Sequence, residues 1–408
     1  MKKFLALILA LVMSLSLVAC GGSKEAEKPT EEPAGTEEPA EAASDYAVAM
    51  ITDYGDITDQ SFNQTTYEAC KEYCEAQGLS FNYFKPAGDT TADRVAMIEK
   101  AVDEGFNIIV MPGYAFAGAI QEAAPQYPDV KFVALDVSKG DYLEAGVGAA
   151  GESYDYIPDN WDLAKYVDLS NVYTMIYQEE LCGYMAGYAT VKLGYTKLGF
   201  CGGMAVPAVV RYGYGFVQGA DAAAAELGVD ASIQYAYANQ FFGDPDITAA
   251  MDTMYAGGVE CIFACGGNVF SSVAEAAAKV GGKVVGVDVD QAPIIDAWGE
   301  GMTVTSAMKG LASSTKSALK GIVEDDNWTN MAGKIDNLGL VSATDLDANF
   351  VGIPTGDGTQ FSDSFTKADL EALVADLYSG KITVSNDVTA AVTDMAKTMT
   401  VNDLGNIK

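Results

Sequence analysis

The sequence predicts an α/β protein of two lobes, each a mostly parallel sheet flanked by helices, with a hinge joining them. Three observations lead there. Short apolar runs alternate with segments of helical periodicity from Tyr46 onward, the pattern of repeated βα units in a parallel sheet. That alternation stops at a polar stretch rich in Tyr and Asp, 153–171, and then starts again. The folded part, about 46–408, is too long for one small core.

Residues 1–20 read as an export signal. Lys2 and Lys3 open it, and the apolar run Phe4 to Met13 is too short for a mature membrane span. It closes on Leu17-Val18-Ala19-Cys20, small residues before a cysteine in the manner of a bacterial lipobox. Cys20 is therefore the expected lipidation site, and acyl chains anchor a protein without spanning. Residues 21–45, mostly Glu, Pro and Ala, read as an acidic, solvated tether. No later apolar stretch is long enough to span.

In the first lobe the apolar runs predict strands at 46–52, 80–85, 107–111, 130–135 and 145–149, with helices near 61–77, 91–104 and 115–124. Most of these strands end in polar or small residues: Asp53, Lys85-Pro86, Pro112-Gly113-Tyr114 and Asp136. Such ends gather at one edge of a parallel sheet. The second round opens with a helix at 179–193, where Gly183, Ala186, Gly187 and Ala189 allow close packing. Strands follow at 196–201, 231–238, 259–264 and 283–288, with helices near 207–227, 246–256 and 269–280. A strand at 302–305 leads through Ser306 to Lys309 into a helix ending about Val323. In the weakly patterned tail, 327–408, the clearest element is a helix near 366–378. The expected division is an N-terminal lobe of 46–172 plus about 306–325, and a C-terminal lobe of 173–305 plus part of 326–408. Two such lobes suggest a binding protein with a ligand cleft that closes by hinge motion.

Composition removes several functions. The 57 acidic and 24 basic residues leave a net charge of −33, the opposite of what nucleic-acid binding requires. A neutral or weakly charged small ligand fits better. The chain has no histidine, which removes Ser-His-Asp and Cys-His catalysis and His-ligated metals. Beyond Cys20, the cysteines at 70, 74, 182, 201, 261 and 265 form no Cys-x-x-Cys pair and read as small core residues.

The richest stretch is Ile51 to Gln64, ITDYGDITDQSFNQ, a strand-to-helix turn holding Asp53, Asp56, Asp59, Phe62 and Asn63. Ligands bind at such turns in open α/β sheets. The plain alternative is that Asp59 or Ser61 caps the helix and Phe62 staples it to the core. Gly202 to Pro207 and Cys265 to Asn268 are glycine-rich strand ends. They match no phosphate-loop spacing, so close approach of backbone to a ligand is the simpler reading. Asp288 and Asp290 beside Gln291 read as paired acceptors for ligand hydroxyls. No compact oxygen-ligand loop follows that would hold a metal. Lys309, read as opening a helix, stands against the dipole and suggests a fixed partner. The alternative is a solvent-facing lysine.

These motifs, in this order, resemble the basic membrane protein (BMP) family of ABC-transporter substrate-binding lipoproteins, which includes purine nucleoside receptors. The resembling stretches are the 51–64 turn, VDEGFNIIVMPGYAF at 102–116, YPDVKFVALD at 127–136 and GYMAGYATVKLGYTKLGFCGGM at 183–204. They continue with RYGYGFVQGAD at 211–221, FGDPD at 242–246, GVDVDQ at 286–291 and TSAMK at 305–309. The resemblance implies a type I periplasmic-binding-protein-like fold, no enzymatic activity, no cofactor and no metal. It implies a nucleoside, of purine type, as ligand, ABC permease subunits as partners, and a lipid-anchored position on the extracytoplasmic face of the cell membrane. It implies that Phe62 and Tyr212 stack on the base, and that Asn63 and Asp136 read its edge or line the cleft. It further implies that Asp288 and Lys309 hold ribose hydroxyls and that Gly266 lets the sugar approach the backbone. Asp53 and Tyr114 complete the expected site. Three positions depart from the family pattern. Tyr212 replaces a usual phenylalanine, the acidic pair at 136 is reduced to Asp136 alone, and Gly-Phe near 114 becomes Tyr114 followed by Phe116. Rival readings are a receptor of the same fold for a sugar or other small polar ligand, and a surface nucleosidase using Asp288 and Asp290.

Overall fold

The computed structural model describes residues 45–408. The signal, Cys20 and all of the tether but Asp45 lie outside them.

The chain begins as a regular βα succession. β1 (Ala47–Ile51), α1 (Phe62–Gln77), β2 (Ser80–Phe84), α2 (Thr91–Asp103), β3 (Ile108–Pro112), α3 (Ala117–Ala123) and β4 (Lys131–Leu135) follow the apolar pattern closely. The segment 145–149 is not a strand. It ends α4 (Lys139–Ala149), which starts at a capping box of Ser138 and Asp141. The cap sets helical register from Lys139, and the small residues Ala145 to Ala149 simply continue it. The strand that takes this place in the sheet is β5 (Val172–Tyr177), which the periodicity reading missed.

Then come α5 (Glu179–Lys192), β6 (Lys197–Gly202), α6 (Pro207–Leu227), β7 (Ser232–Tyr237), α7 (Pro245–Ala256), β8 (Cys261–Cys265), α8 (Phe270–Val280) and β9 (Lys283–Asp288). After the short α9 (Ala292–Ile295), β10 (Thr303–Lys309) runs into α10 (Leu311–Val323). Lys309 thus ends a strand rather than opening a helix. The strand outlasts its expected end at 305 because Ser306 to Met308 pair with β9 and a tail strand pairs Met308 and Lys309. The tail adds α11 (Trp328–Met331), β11 (Ile335–Leu338), β12 (Val351–Gly352), α12 (Lys367–Tyr378) and β13 (Thr400–Asn406).

Among the described residues these strands make a six-stranded sheet, β11-β5-β4-β3-β1-β2, and a seven-stranded sheet, β12-β10-β9-β8-β6-β7-β13. Both sheets carry the same inner order, 2-1-3-4-5, shifted by five strands. Every pairing is parallel except β10 with β12. In such a sheet the order reverses between the first and third strands, and ligands bind outside the strand ends there. The chain passes between the sheets at Tyr177–Glu179, again near Lys309–Leu311, and again between β11 and β12. α10 packs on α1, while α5 packs on α6.

The α5–α6 contact is made through glycine. A Cβ on Gly183 would lie 2.2 Å from the Tyr212 carbonyl oxygen, and one on Gly219 would lie 2.0 Å from that of Tyr184. Gly187 and Gly215 meet Phe216 and Glu180 in the same way. The small residues of 179–193 therefore bring two helix backbones together, and with them Glu179 and Tyr212. One apolar cluster runs along this layer and reaches both sheets, and each sheet has a second cluster on its other face. The cysteines at 70, 74, 182, 201, 261 and 265 are all buried and free.

Candidate functional site

Seven strand ends converge on one cavity of about 330 Å³. From the first sheet come Asp53 after β1, Gly113 and Tyr114 after β3, and Asp136 after β4. From the second come the turn after β6, Gly266 to Asn268 after β8, Asp288 closing β9 and Lys309 closing β10. The cavity therefore lies at the order reversal of both sheets. All nine residues expected from the sequence line it: Asp53, Phe62, Asn63, Tyr114, Asp136, Tyr212, Gly266, Asp288 and Lys309.

The turn after β1 divides its labour. Asp59 caps α1, accepting the backbone N–H groups of Ser61, Asn63 and Gln64 at 2.9–3.0 Å. Ser61 makes no cap. Its hydroxyl donates instead to Asp288 Oδ2 at 2.6 Å, joining a first-sheet turn to a second-sheet strand end. Gln291 Nε2 adds a second such link to the Gln60 carbonyl at 3.1 Å. Phe62 is half-buried and exposes part of its ring to the cavity. Asp53 accepts from its own turn, Tyr54 N–H and Gly55 N–H. Burial nevertheless holds its carboxyl above the usual range.

Lys309 is the centre of the charged floor. Its side chain is 3% exposed. The ammonium bonds Asp136 Oδ2 and lies 3.5 Å from Glu179 Oε1 and 3.8 Å from Asp288 Oδ1. It also stands 4.7 Å from the Phe62 ring centroid, 5.3 Å from that of Tyr177 and 5.5 Å from that of Tyr212. Burial alone pulls its pKa down, but the carboxylates of Asp136, Asp288 and Glu179 overcome this and hold it above the ordinary lysine value. Arg211 donates to Glu179 Oε2 at 2.7 Å. Burial raises the Glu179 carboxyl, and the Arg211 and Lys309 cations oppose that rise.

Tyr212 is nearly buried. Its hydroxyl donates to Asp288 Oδ1 at 3.1 Å and its ring meets Phe263 edge-on. Asp288 thus takes hydrogen bonds from both sheets' elements. Two acceptors in the cavity wall stay unused: Asn63 Oδ1 and Asp136 Oδ1 are buried and have no donor among the described residues. Asp136 and Asp288 both adopt left-handed backbone, φ 60° and 66°, which turns their carboxylates inward at the strand ends.

One expectation is corrected. Asp290 does not join Asp288 in the cavity. It is exposed and accepts the Ala292 N–H at 3.1 Å, capping α9. The chain turns at Asp288, so the next carboxylate faces outward, and the pair needed for a nucleosidase is not assembled. Sequence reading also missed cavity residues. Arg211 and Phe241 line the cavity, Arg211 being brought there through the α5–α6 contact. Behind Lys309, Tyr177 closes the unforeseen strand β5 and Glu179 opens α5. Phe241 carries no local motif. Its ring fills the space left by two glycines: a Cβ on Gly203 would lie 2.4 Å, and one on Gly266 2.9 Å, from its Cδ1.

A family model described as ABC transporter substrate-binding protein PnrA-like (Bmp) matches residues 46–362. The chain belongs to this family. It is a substrate-binding protein of an ABC transporter, which works with a ligand and with the transporter's membrane subunits. Relatives of this Bmp chain include a "CD4+ T-cell-stimulating antigen" from Listeria innocua, 27% identical over 333 residues, 78% of this chain and 80% of that protein. An "ABC transporter nucleoside-binding protein BmpA" from Lactococcus lactis subsp. cremoris is 27% identical over 261 residues, 61% of this chain and 65% of that protein. A solute-binding protein structure from Aeropyrum pernix K1 superposes with a TM-score of 0.57 at 20% identity, covering 86% of this chain and 90% of the other. That likeness speaks to the fold alone. Among the described residues no helix is long and apolar enough to cross a membrane.

Proposed function

We propose that this Bmp protein captures a nucleoside, of purine type, between its two sheets and passes it to the importer while held to the outer face of the membrane through Cys20. The observation that carries the reading is the pair of unused buried acceptors, Asn63 Oδ1 and Asp136 Oδ1, in a wall that also exposes the Phe62 ring. Leaving a buried acceptor unpaired costs roughly 1–3 kcal/mol. A neutral ligand with several N–H and O–H donors and one flat apolar face relieves that cost. The base stacks on Phe62, and its edge meets Asn63 and Asp53. Ribose hydroxyls reach Asp136 and Asp288, and Lys309 keeps those carboxylates neutralised. The cavity volume falls at the small end of the roughly 300–1,000 Å³ typical of small-molecule sites. Lobe closure about the three crossings buries the ligand. The relative named as nucleoside-binding supports the same reading.

A sugar is the second reading, and one observation favours it. Tyr212 is 2% exposed, so it offers little free face for a second stack. Thermal melts against a panel of nucleosides and sugars separate the two, because a ligand that binds only the folded state raises the melting temperature. Purine nucleosides are expected to give the largest rise. A rise with sugars and none with nucleosides would overturn the proposal.

A further inference from the structure

The last strand of the chain runs toward the cavity, beyond the residues that the family match covers. β13 adds in parallel to β7 at the sheet edge, and Ile407 N–H continues the ladder to the Tyr237 carbonyl at 2.8 Å. Most of β13 is exposed: Asn402 to Asn406 bury no side chain. Its purpose is therefore not core filling. It is held firmly just before it starts. Asp221 of α6 accepts from Lys397 N–H, Met399 N–H, Thr398 N–H and the Thr398 hydroxyl at 2.6–2.9 Å. Just beyond it, Lys408 pairs with Asp244 and stands 3.4 Å from Gln240 Oε1.

Asp244 and Gln240 bracket the loop that carries Phe241 and Phe242, both in the cavity wall. One carboxylate joins three elements. Asp244 Oδ1 caps α7 through the N–H groups of Asp246 and Ile247, while Oδ2 takes Gln240 Nε2 and Lys408. Phe241 itself faces the first sheet's turn, its centroid 6.4 Å from that of Tyr54. The loop is the point where a second-sheet aromatic meets the opposite wall of the cavity.

We propose that Lys408, carried by β13, is a positioning residue for Phe241. It locks the 239–244 loop so that the ring stands over the ligand and slows its escape. This deepens the nucleoside reading and rests on it for the ligand. It does not rest on it for the loop.

Two measurements on the full-length protein test it. The first needs no ligand. Amide hydrogen exchange in 239–244 is expected to quicken about tenfold in Lys408→Ala, with α7 and the start of β7 unchanged, and Lys408→Arg is expected to restore the slow rate. Unchanged exchange in Lys408→Ala would overturn the proposal, whatever the protein binds. The second is calorimetric titration and dissociation kinetics with inosine. Lys408→Ala is expected to bind at least fivefold more weakly, through a faster off-rate, at an unchanged melting temperature. Phe241→Ala is expected to weaken binding as well, and adding Lys408→Ala to it is expected to cost nothing more. Wild-type affinity in Lys408→Ala, or independent losses in the double variant, would also overturn it. A wild-type protein that binds no nucleoside would overturn the ligand reading instead, and the exchange result would then decide the loop alone.

Discussion

At the residue scale, Phe62 and Glu180 make opposite kinds of test. Phe62 follows a turn capped by Asp59, so helix α1 does not depend on the ring. Full burial would make Phe62→Ala cost about 3–5 kcal/mol of stability. The ring is only half-buried and faces the cavity. The variant is therefore expected to stay folded and to lose roughly 1–3 kcal/mol of nucleoside affinity. Calorimetric titration with a parallel melt checks this, and a large melting loss with unchanged affinity would restore the staple reading. Glu180 is buried near the start of α5 with Oε2 lacking a donor among the described residues. Burial pushes its carboxyl up to about 7 from an ordinary 4.5. The folded state therefore holds a proton that the unfolded chain has released. Stability is fully present below about pH 4.5 and falls as pH rises through 7, by up to about 3 kcal/mol from this group. Asp141, raised to about 6 by burial, acts in the same direction. Denaturant titrations at pH 5 and 7.5 should show a smaller difference for Glu180→Gln than for wild type.

At the element scale, the α5–α6 pair shows where a glycine matters. Gly219→Ala places a Cβ 2.0 Å from the Tyr184 carbonyl oxygen, a backbone atom that cannot swing aside. The expected loss is about 1–3 kcal/mol. Binding is expected to weaken too, since the helix carries Arg211 and Tyr212. Gly148→Ala in α4 meets nothing within 4 Å and is expected to be neutral or to stabilise by roughly 0.4–1 kcal/mol. Melts of the two variants decide it; equal effects would show that the helix contact tolerates separation. The small residues of 179–193 marked a closely packed helix in the sequence, but that they meet Gly215 and Gly219 of α6 was decided only by the fold.

At the scale of the whole molecule, the two sheets are joined by the chain's own side chains as well as by its crossings. Ser61 to Asp288, Gln291 to Gln60 and Lys309 to Asp136 all link first-sheet to second-sheet elements at the cavity. Ser61→Ala removes one link without removing bulk. It is expected to raise the radius of gyration of the ligand-free protein in small-angle scattering, and saturating inosine is expected to bring it back down. Affinity should fall by the roughly 0.5–1.5 kcal/mol of one net hydrogen bond. An unchanged radius in both states would argue for a rigid cleft. Anchoring is tested apart from all this: Cys20→Ser is expected to leave the membrane fraction for the soluble one.

What the sequence determined by itself was local. Alternating apolar runs placed most strands and helices, because the periodicities of 2.0 and 3.6 residues need no partner to be read. The polar strand ends from Asp53 to Asp288 marked the cavity, because in a parallel sheet those ends share one edge. Where a tertiary neighbour sets the structure, local reading failed. The small residues at 145–149 took their conformation from a cap at Ser138, β5 became a strand by pairing with β4 and β11, and β10 was lengthened by pairing with β9 and, at its end, with β12 from the tail. The outward turn of Asp290, the hydroxyl of Tyr212 on Asp288 and the carboxylate cage around Lys309 were likewise beyond it. Each depends on which atom stands opposite, and the charge state of a buried lysine follows from what surrounds it in space rather than from what precedes it in the chain.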